Sequence, residues 1–138
     1  MPFACESPET TGTVRSSLRR AGRAATIYHR DDFILLTDNG RCRLARIKNI
    51  FILEASRNAT LVHFAEDKLL IRRSLGECER RLDSSTFFRA SRDCIVNLSQ
   101  VKRPYLLKDG GLIFLLKDGR EVVFSRRQGV LFRTTRGL

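Results

Sequence analysis

The sequence predicts a mainly β domain with one or two short helices. From Asp31 onward, short apolar runs are broken every six to ten residues by turn-forming residues. Three of these breaks have hairpin chemistry: Asp38-Asn39-Gly40, Ser56-Arg57-Asn58 and Lys117-Asp118-Gly119-Arg120. Helical spacing is clear at only one place, the segment that opens at Ser74.

Residues 1–30 carry Ser, Thr, Gly and Arg with few large apolar groups, and read as a flexible basic arm. Its 16–25 part is able to turn helical against a partner. The domain proper is expected over residues 31–138. Residues 33–37 and 41–46 pair across Asn39-Gly40, which tolerate the positive φ of a tight turn. Residues 50–55 and 59–65 form a second hairpin, and Glu66-Asp67 turn the chain into a strand over 69–72. Ser74-Leu75-Gly76-Glu77 has the form of a capping box, and Leu75, Cys78 and Leu82 share one helical face. Phe87-Phe88 then lead into the polar run Arg89-Ala90-Ser91-Arg92-Asp93, followed by the compact apolar strand around Ile95-Val96. That run reads as a loop or element end held by apolar anchors on both sides, with Arg89 and Arg92 free to point outward. Residues 105–107 lead into Asp109-Gly110-Gly111, and residues 112–116 and 121–124 make the last hairpin. Ser125 and Gln128 are placed to cap a short final helix through about Phe132.

The 138-residue chain holds 26 Lys and Arg against 15 Asp and Glu, a formal net charge of +11. Such a balance favours polyanionic partners. The charge is uneven: residues 89–138 hold eleven basic side chains against four acidic ones, whereas residues 1–30 hold five against two. Arginines outnumber lysines 21 to 5. The ratio suits bidentate recognition, and a G+C-rich genome would produce it equally well. No apolar run approaches the roughly 20 residues that span a bilayer, and no secretory core follows the start. A cytoplasmic location is therefore expected.

Enzyme signals are poor. Ser99-x-x-Lys102 lacks the companion motifs of its family. His29 and His63 have no evident nucleophile and orienting acid, and Gly110-Gly111 opens no helix. Cys5, Cys42, Cys78 and Cys94 fall at no metal-ligand spacing, so neither a metal nor another cofactor is expected, nor a small-molecule substrate.

Two basic clusters remain. Arg89 and Arg92 are either ordinary surface arginines or, fixed by their apolar flanks, readers of phosphates and guanine edges. Arg126 and Arg127 stand where a helix begins, with Ser125 as its cap, so unpaired helix N–H groups and guanidinium groups would act on a phosphate together. The bland alternative is that they merely oppose the helix dipole. Asn58 is either a plain turn residue or, at a hairpin tip, a partner for adenine. Asn97 is expected to bond turn backbone, and Asp93 to cap a turn or orient an arginine.

With these residues in place, the chain resembles the LytTR-type DNA-binding domain of bacterial transcription regulators over roughly residues 31–132. Four stretches carry the resemblance, in order. They are Ile50-Phe51-Ile52-Leu53-Glu54-Ala55 before the hairpin with Asn58, and Arg73-Ser74-Leu75 opening a helix that ends near Leu82. Phe88-Arg89-Ala90-Ser91-Arg92-Asp93 with Ile95-Val96-Asn97 is the third, and Asp118-Gly119 followed by Val123-Phe124-Ser125-Arg126-Arg127 the last. The resemblance implies an elongated arrangement of short antiparallel sheets. It also implies loops that read successive major grooves at paired promoter repeats, one domain per repeat, with bending of the DNA. By position, Asn58 or its neighbour Ala59, Arg92 and Arg127 become base-reading candidates. Ser91, Arg89, Arg126 and Ser125 become phosphate or supporting contacts. The chain departs from the family pattern at Ser91, where His is usual, at Asp93, and at Arg57-Asn58-Ala59, where Gly-Asn-aromatic is usual. A homodimer on DNA and a regulatory protein partner both stay open, as do a stand-alone regulator and a fragment of a longer one. The rival readings are an RNA or single-strand binding β module and a basic protein-interaction adaptor.

Overall fold

The computed structural model describes residues 26–137. Of the expected arm over residues 1–30, residues 1–25 lie outside the described residues. The body takes hold of the chain before residue 30: Tyr28 bridges Leu82, with Tyr28 N donating to Arg81 O at 2.7 Å and Asp83 N to Tyr28 O at 3.0 Å.

Strands β1 (Phe33–Asp38) and β2 (Arg41–Arg46) form a two-stranded sheet whose turn places Asn39 at φ +47 and Gly40 at φ +80. Both are residues that tolerate the left-handed region. A single 3-10 turn over Ile47–Asn49 leads to β3 (Ile52–Ser56), β4 (Ala59–His63) and β5 (Lys68–Ile71). Helix α1 (Leu75–Arg81) follows, with the capping box complete: Glu77 N donates to Ser74 Oγ, and Ser74 N to the Glu77 carboxylate, both at 3.2 Å. Then come β6 (Phe87–Ser91), β7 (Cys94–Asn97), a 3-10 turn at Leu98–Gln100, β8 (Val101–Leu106), β9 (Leu112–Leu116), β10 (Glu121–Val123) and helix α2 (Arg126–Arg136).

All strand pairings are antiparallel. The central sheet runs β5-β4-β3-β7-β6 and a three-stranded sheet runs β10-β9-β8. Alternation along the central strands sends side chains into two separate cores. Leu53, Val62, Ile71, Phe87 and Ile95 pack with Leu36 of the β1–β2 hairpin, Ile47 of the following 3-10 turn, and Leu75 and Cys78 of α1. Ile52, Ala90 and Val96 pack on the opposite side with Leu112, Phe114, Leu116, Val122 and Phe124. There Phe132 of α2 meets Phe88 edge-on, with ring centroids 4.8 Å apart, and Phe114 at 5.3 Å. The mainly β class and the antiparallel hairpins are as the sequence predicts.

Of the two readings of the run after Phe88, the structure has the element end: β6 continues to Ser91 with a bulge between Arg89 and Ser91, and only Arg92-Asp93 turn. Two expectations need correction. Strand β8 begins at Val101, and its Pro104 is tolerated because β8 is a sheet edge. Helix α2 continues past Phe132 to Arg136; its basic last turn suits the helix dipole, and Arg136 donates to Ser84 O. Among the described residues no helix is long and apolar enough to cross a membrane.

The Tyr28 crossing is reinforced by His29 Nδ1, 2.9 Å from Asp83 Oδ2. This hydrogen bond raises the imidazole above its ordinary value of 6.5, and the same bond, with help from Ser85, holds the Asp83 carboxyl down at about 2. A raised histidine contributes stability that is full below its unfolded value and is lost as pH rises through its folded one. The Asp83 contribution is present above its unfolded value of 3.8 and is lost as pH falls toward 2. His29→Ala is therefore expected to lower the melting temperature more at pH 5 than at pH 8. Equal losses at the two pH values, measured by thermal denaturation, would refute the coupling.

Candidate nucleic-acid interface

Two tight turns stand side by side at one end of the central sheet. Ser56 pairs with Ala59, leaving Arg57-Asn58 as the β3–β4 turn, and Ser91 pairs with Cys94, leaving Arg92-Asp93 as the β6–β7 turn. They are neighbours because β3 pairs with β7: Glu54 faces Cys94, and Ala55 N donates to Asp93 O at 2.9 Å. The start of α2 is docked against the same end. Ser125 N donates to Ala90 O at 2.9 Å, and Gln128 Nε2 to Arg89 O at 2.7 Å. Ser125 Oγ caps the helix by accepting from Gln128 N at 3.2 Å. With its side chain spent on β6, Gln128 does not complete a capping box and instead fastens helix to strand.

The predicted residues thus fall into one row, although the chain brings them from far apart in sequence. Asn58, Arg92, Ser125, Arg126 and Arg127 are exposed there, whereas Ser91 and Ala59 are half-buried. Ser91 Oγ accepts from Asp93 N at 3.3 Å and so shapes the turn. Arg126 reaches Asp109 O at 3.4 Å. Among the described residues Arg92, Arg126 and Arg127 have no carboxylate within ion-pair distance. The two turns and the helix start contain four arginines, Arg57 included, and one carboxylate, that of Asp93.

Arg89 differs from expectation, for its guanidinium is not free. Nε donates to Ser91 O at 2.9 Å, Nη2 to Arg92 O at 2.8 Å, and Nη1 meets Glu79 Oε1 of α1 at 2.6 Å. The bulge in β6 lies between Arg89 and Ser91, the first of these acceptors. Arg89 thus holds the Arg92 turn from behind and ties it to α1. Arg89→Lys keeps the charge but loses the planar fork. It is expected to weaken nucleic-acid binding several-fold and to speed amide exchange at Arg92 and Asp93. Unchanged exchange there would remove the bracing role.

The row also holds residues that the sequence reading did not single out. Arg57 is exposed and sits at φ +59, a region that costs a residue with a Cβ roughly 1–2 kcal/mol. Asn tolerates the left-handed region better than Arg does, yet the turn places that geometry on Arg57, one residue before Asn58. Arg72 and Arg73 follow β5 at the same end, where the buried Thr60 hydroxyl donates to Arg73 O at 2.7 Å. No local signal marks Arg72 and Arg73, since only the strand order brings them near the turns. Behind the Arg92 turn, burial and then the Glu54 charge push the Cys94 thiol up to about 12, so this sulfur is an inert packing group. Among the described residues no cluster of His, Cys, Asp and Glu could hold a metal ion.

A family model, the LytTr DNA-binding domain, matches residues 40–136. The chain belongs to the LytTR family. The match takes in every strand from β2 onward and both helices, and therefore all three parts of the row. This LytTR domain shares its fold with a solved structure, the LytTr DNA-binding domain of a methyl-accepting/DNA response regulator from Bacillus cereus. The two superpose with a TM-score of 0.69 at 24% sequence identity, over 77% of this chain and 97% of that one. No curated protein matches the chain. LytTR domains are DNA-binding domains of transcription regulators.

Proposed function

We propose that this LytTR domain binds double-stranded DNA sequence-specifically in bacterial transcription regulation, reading the major groove at paired promoter repeats. The observation that supports this most is the convergence of two arginine-bearing turns and the arginine-bearing start of α2 at one sheet end. The two turns are carried by the neighbouring strands β3 and β7, roughly 4.8 Å apart, close enough for both to enter a major groove about 12 Å across. Arg92, Arg127 and Asn58 read bases in this scheme. Arg126, with Ser125 and Ser91, holds phosphates or supports the readers, and Arg89 braces the turn. A homodimer on paired repeats and a controlling protein partner fit the same scheme.

An RNA or single-strand module is less well supported, because such modules stack bases on exposed aromatic rings. The two turns and the helix start carry no aromatic residue. Of the aromatic residues most open to solvent, Phe33 lies on the outer hairpin with the Arg46 guanidinium 4.4 Å from its ring centroid, and Tyr105 lies on β8. A basic adaptor that docks on an acidic protein would show no preference among DNA sequences.

Selection from a random duplex library tests the proposal. The expected result is an enriched motif of short repeats, bound at least about a thousandfold more tightly than scrambled duplex at near-physiological salt. Uniform, steeply salt-dependent binding with no motif would overturn it.

A further inference from the structure

Among the described residues only Asn39 and Arg57 combine a side chain with a positive φ. Asn39 is placed as turn chemistry demands, before Gly40 in a hairpin. Arg57 is not. Glycine would serve its turn without strain. The arginine is exposed, and among the described residues no hydrogen bond or ion pair holds it. Backbone strain with no internal return commonly marks a residue kept for an external contact. The external contact has a direction as well, since the turn lies beside the Arg92 turn at the basic end of the sheet.

We infer that Arg57 is a specificity-determining residue of this LytTR domain, reading a guanine edge next to the base contacted from the Arg92 turn. The inference rests on the DNA-binding reading above. Guanine is the base that fits, because its O6 and N7 acceptors match the two parallel donors of a guanidinium. Lysine would supply the charge without the fork.

Arg57→Gly and Arg57→Lys separate the alternatives, tested on the duplex selected by the wild type and on its scrambled control. Arg57→Gly is expected to melt at a higher temperature than the wild type, yet to bind the selected duplex roughly ten- to a hundredfold more weakly. A library selected with Arg57→Gly should lose one guanine from the motif. Arg57→Lys should recover the small loss on scrambled DNA but not the loss on the selected duplex. Recovery on both duplexes would make Arg57 a phosphate contact and overturn the inference. So would wild-type affinity in Arg57→Gly, or a lower melting temperature. If the wild type itself enriches no motif, the DNA-reading proposal falls and this inference with it. A wild-type motif that both variants share would remove Arg57 alone.

Discussion

Replacing Arg92 and Arg127 together by alanine is expected to weaken binding to the selected duplex by about 2–6 kcal/mol, with a much smaller loss on scrambled DNA. Each side chain is exposed and has no acidic partner among the described residues, so its removal should leave the fold within about 0.5 kcal/mol of the wild type. A bidentate contact to a base contributes roughly 1–3 kcal/mol of discrimination. The two arginines sit on separate elements, the β6–β7 turn and α2, so their effects should nearly add. Competition titrations of the single and double variants at fixed salt would provide the numbers. Equal losses on selected and scrambled duplex, with the salt slope falling by about one per arginine, would reduce both residues to phosphate contacts.

The largest expected effect on stability lies at Asn97, at the opposite end of β7 from the Arg92 turn. Its side chain is fully buried. Nδ2 donates to Ile50 O at 2.7 Å and Lys48 O at 3.3 Å, while Oδ1 accepts from Ser99 N at 2.9 Å and Ser99 Oγ at 2.7 Å. This one amide therefore joins the segment before β3 to the 3-10 turn after β7. Asn97→Ala strands a buried carbonyl and opens a cavity, for an expected cost of about 3 kcal/mol. The denaturant midpoint should fall with little change in slope, and the molecules that remain folded should keep their sequence preference. A cost below about 1 kcal/mol would mean that water replaces the amide at no loss.

What the sequence disclosed was local. Asn39-Gly40 announced a hairpin because few residues accept that backbone, and Ser74 with Glu77 announced a helix start whose two reciprocal hydrogen bonds both form. The candidate site was legible as basic clusters near Arg92 and Arg127, and the family resemblance added roles for them. Arrangement was not legible. The pairing of β3 with β7 joins residues about forty positions apart and leaves no periodic trace, yet it alone sets Arg57 beside Arg92. Arg89 was misread for a related reason: charge is visible in a sequence, but the carbonyls of Ser91 and Arg92 and the Glu79 carboxylate that claim it are not. Strand β8 was shortened because Lys102, Arg103 and Pro104 look unlike a strand, although an edge accepts all three.

The central strands belong to both cores at once. Leu53 and Ile95 point into one, while their neighbours Ile52 and Val96 point into the other. Neither core can melt and leave the other intact, because each is walled by the same two strands. Heating or denaturant should therefore produce a single all-or-none transition. The turns carried by β3 and β7 should keep their spacing up to that transition, so that the molecule holds a fixed ruler against its target until it has no structure left to hold.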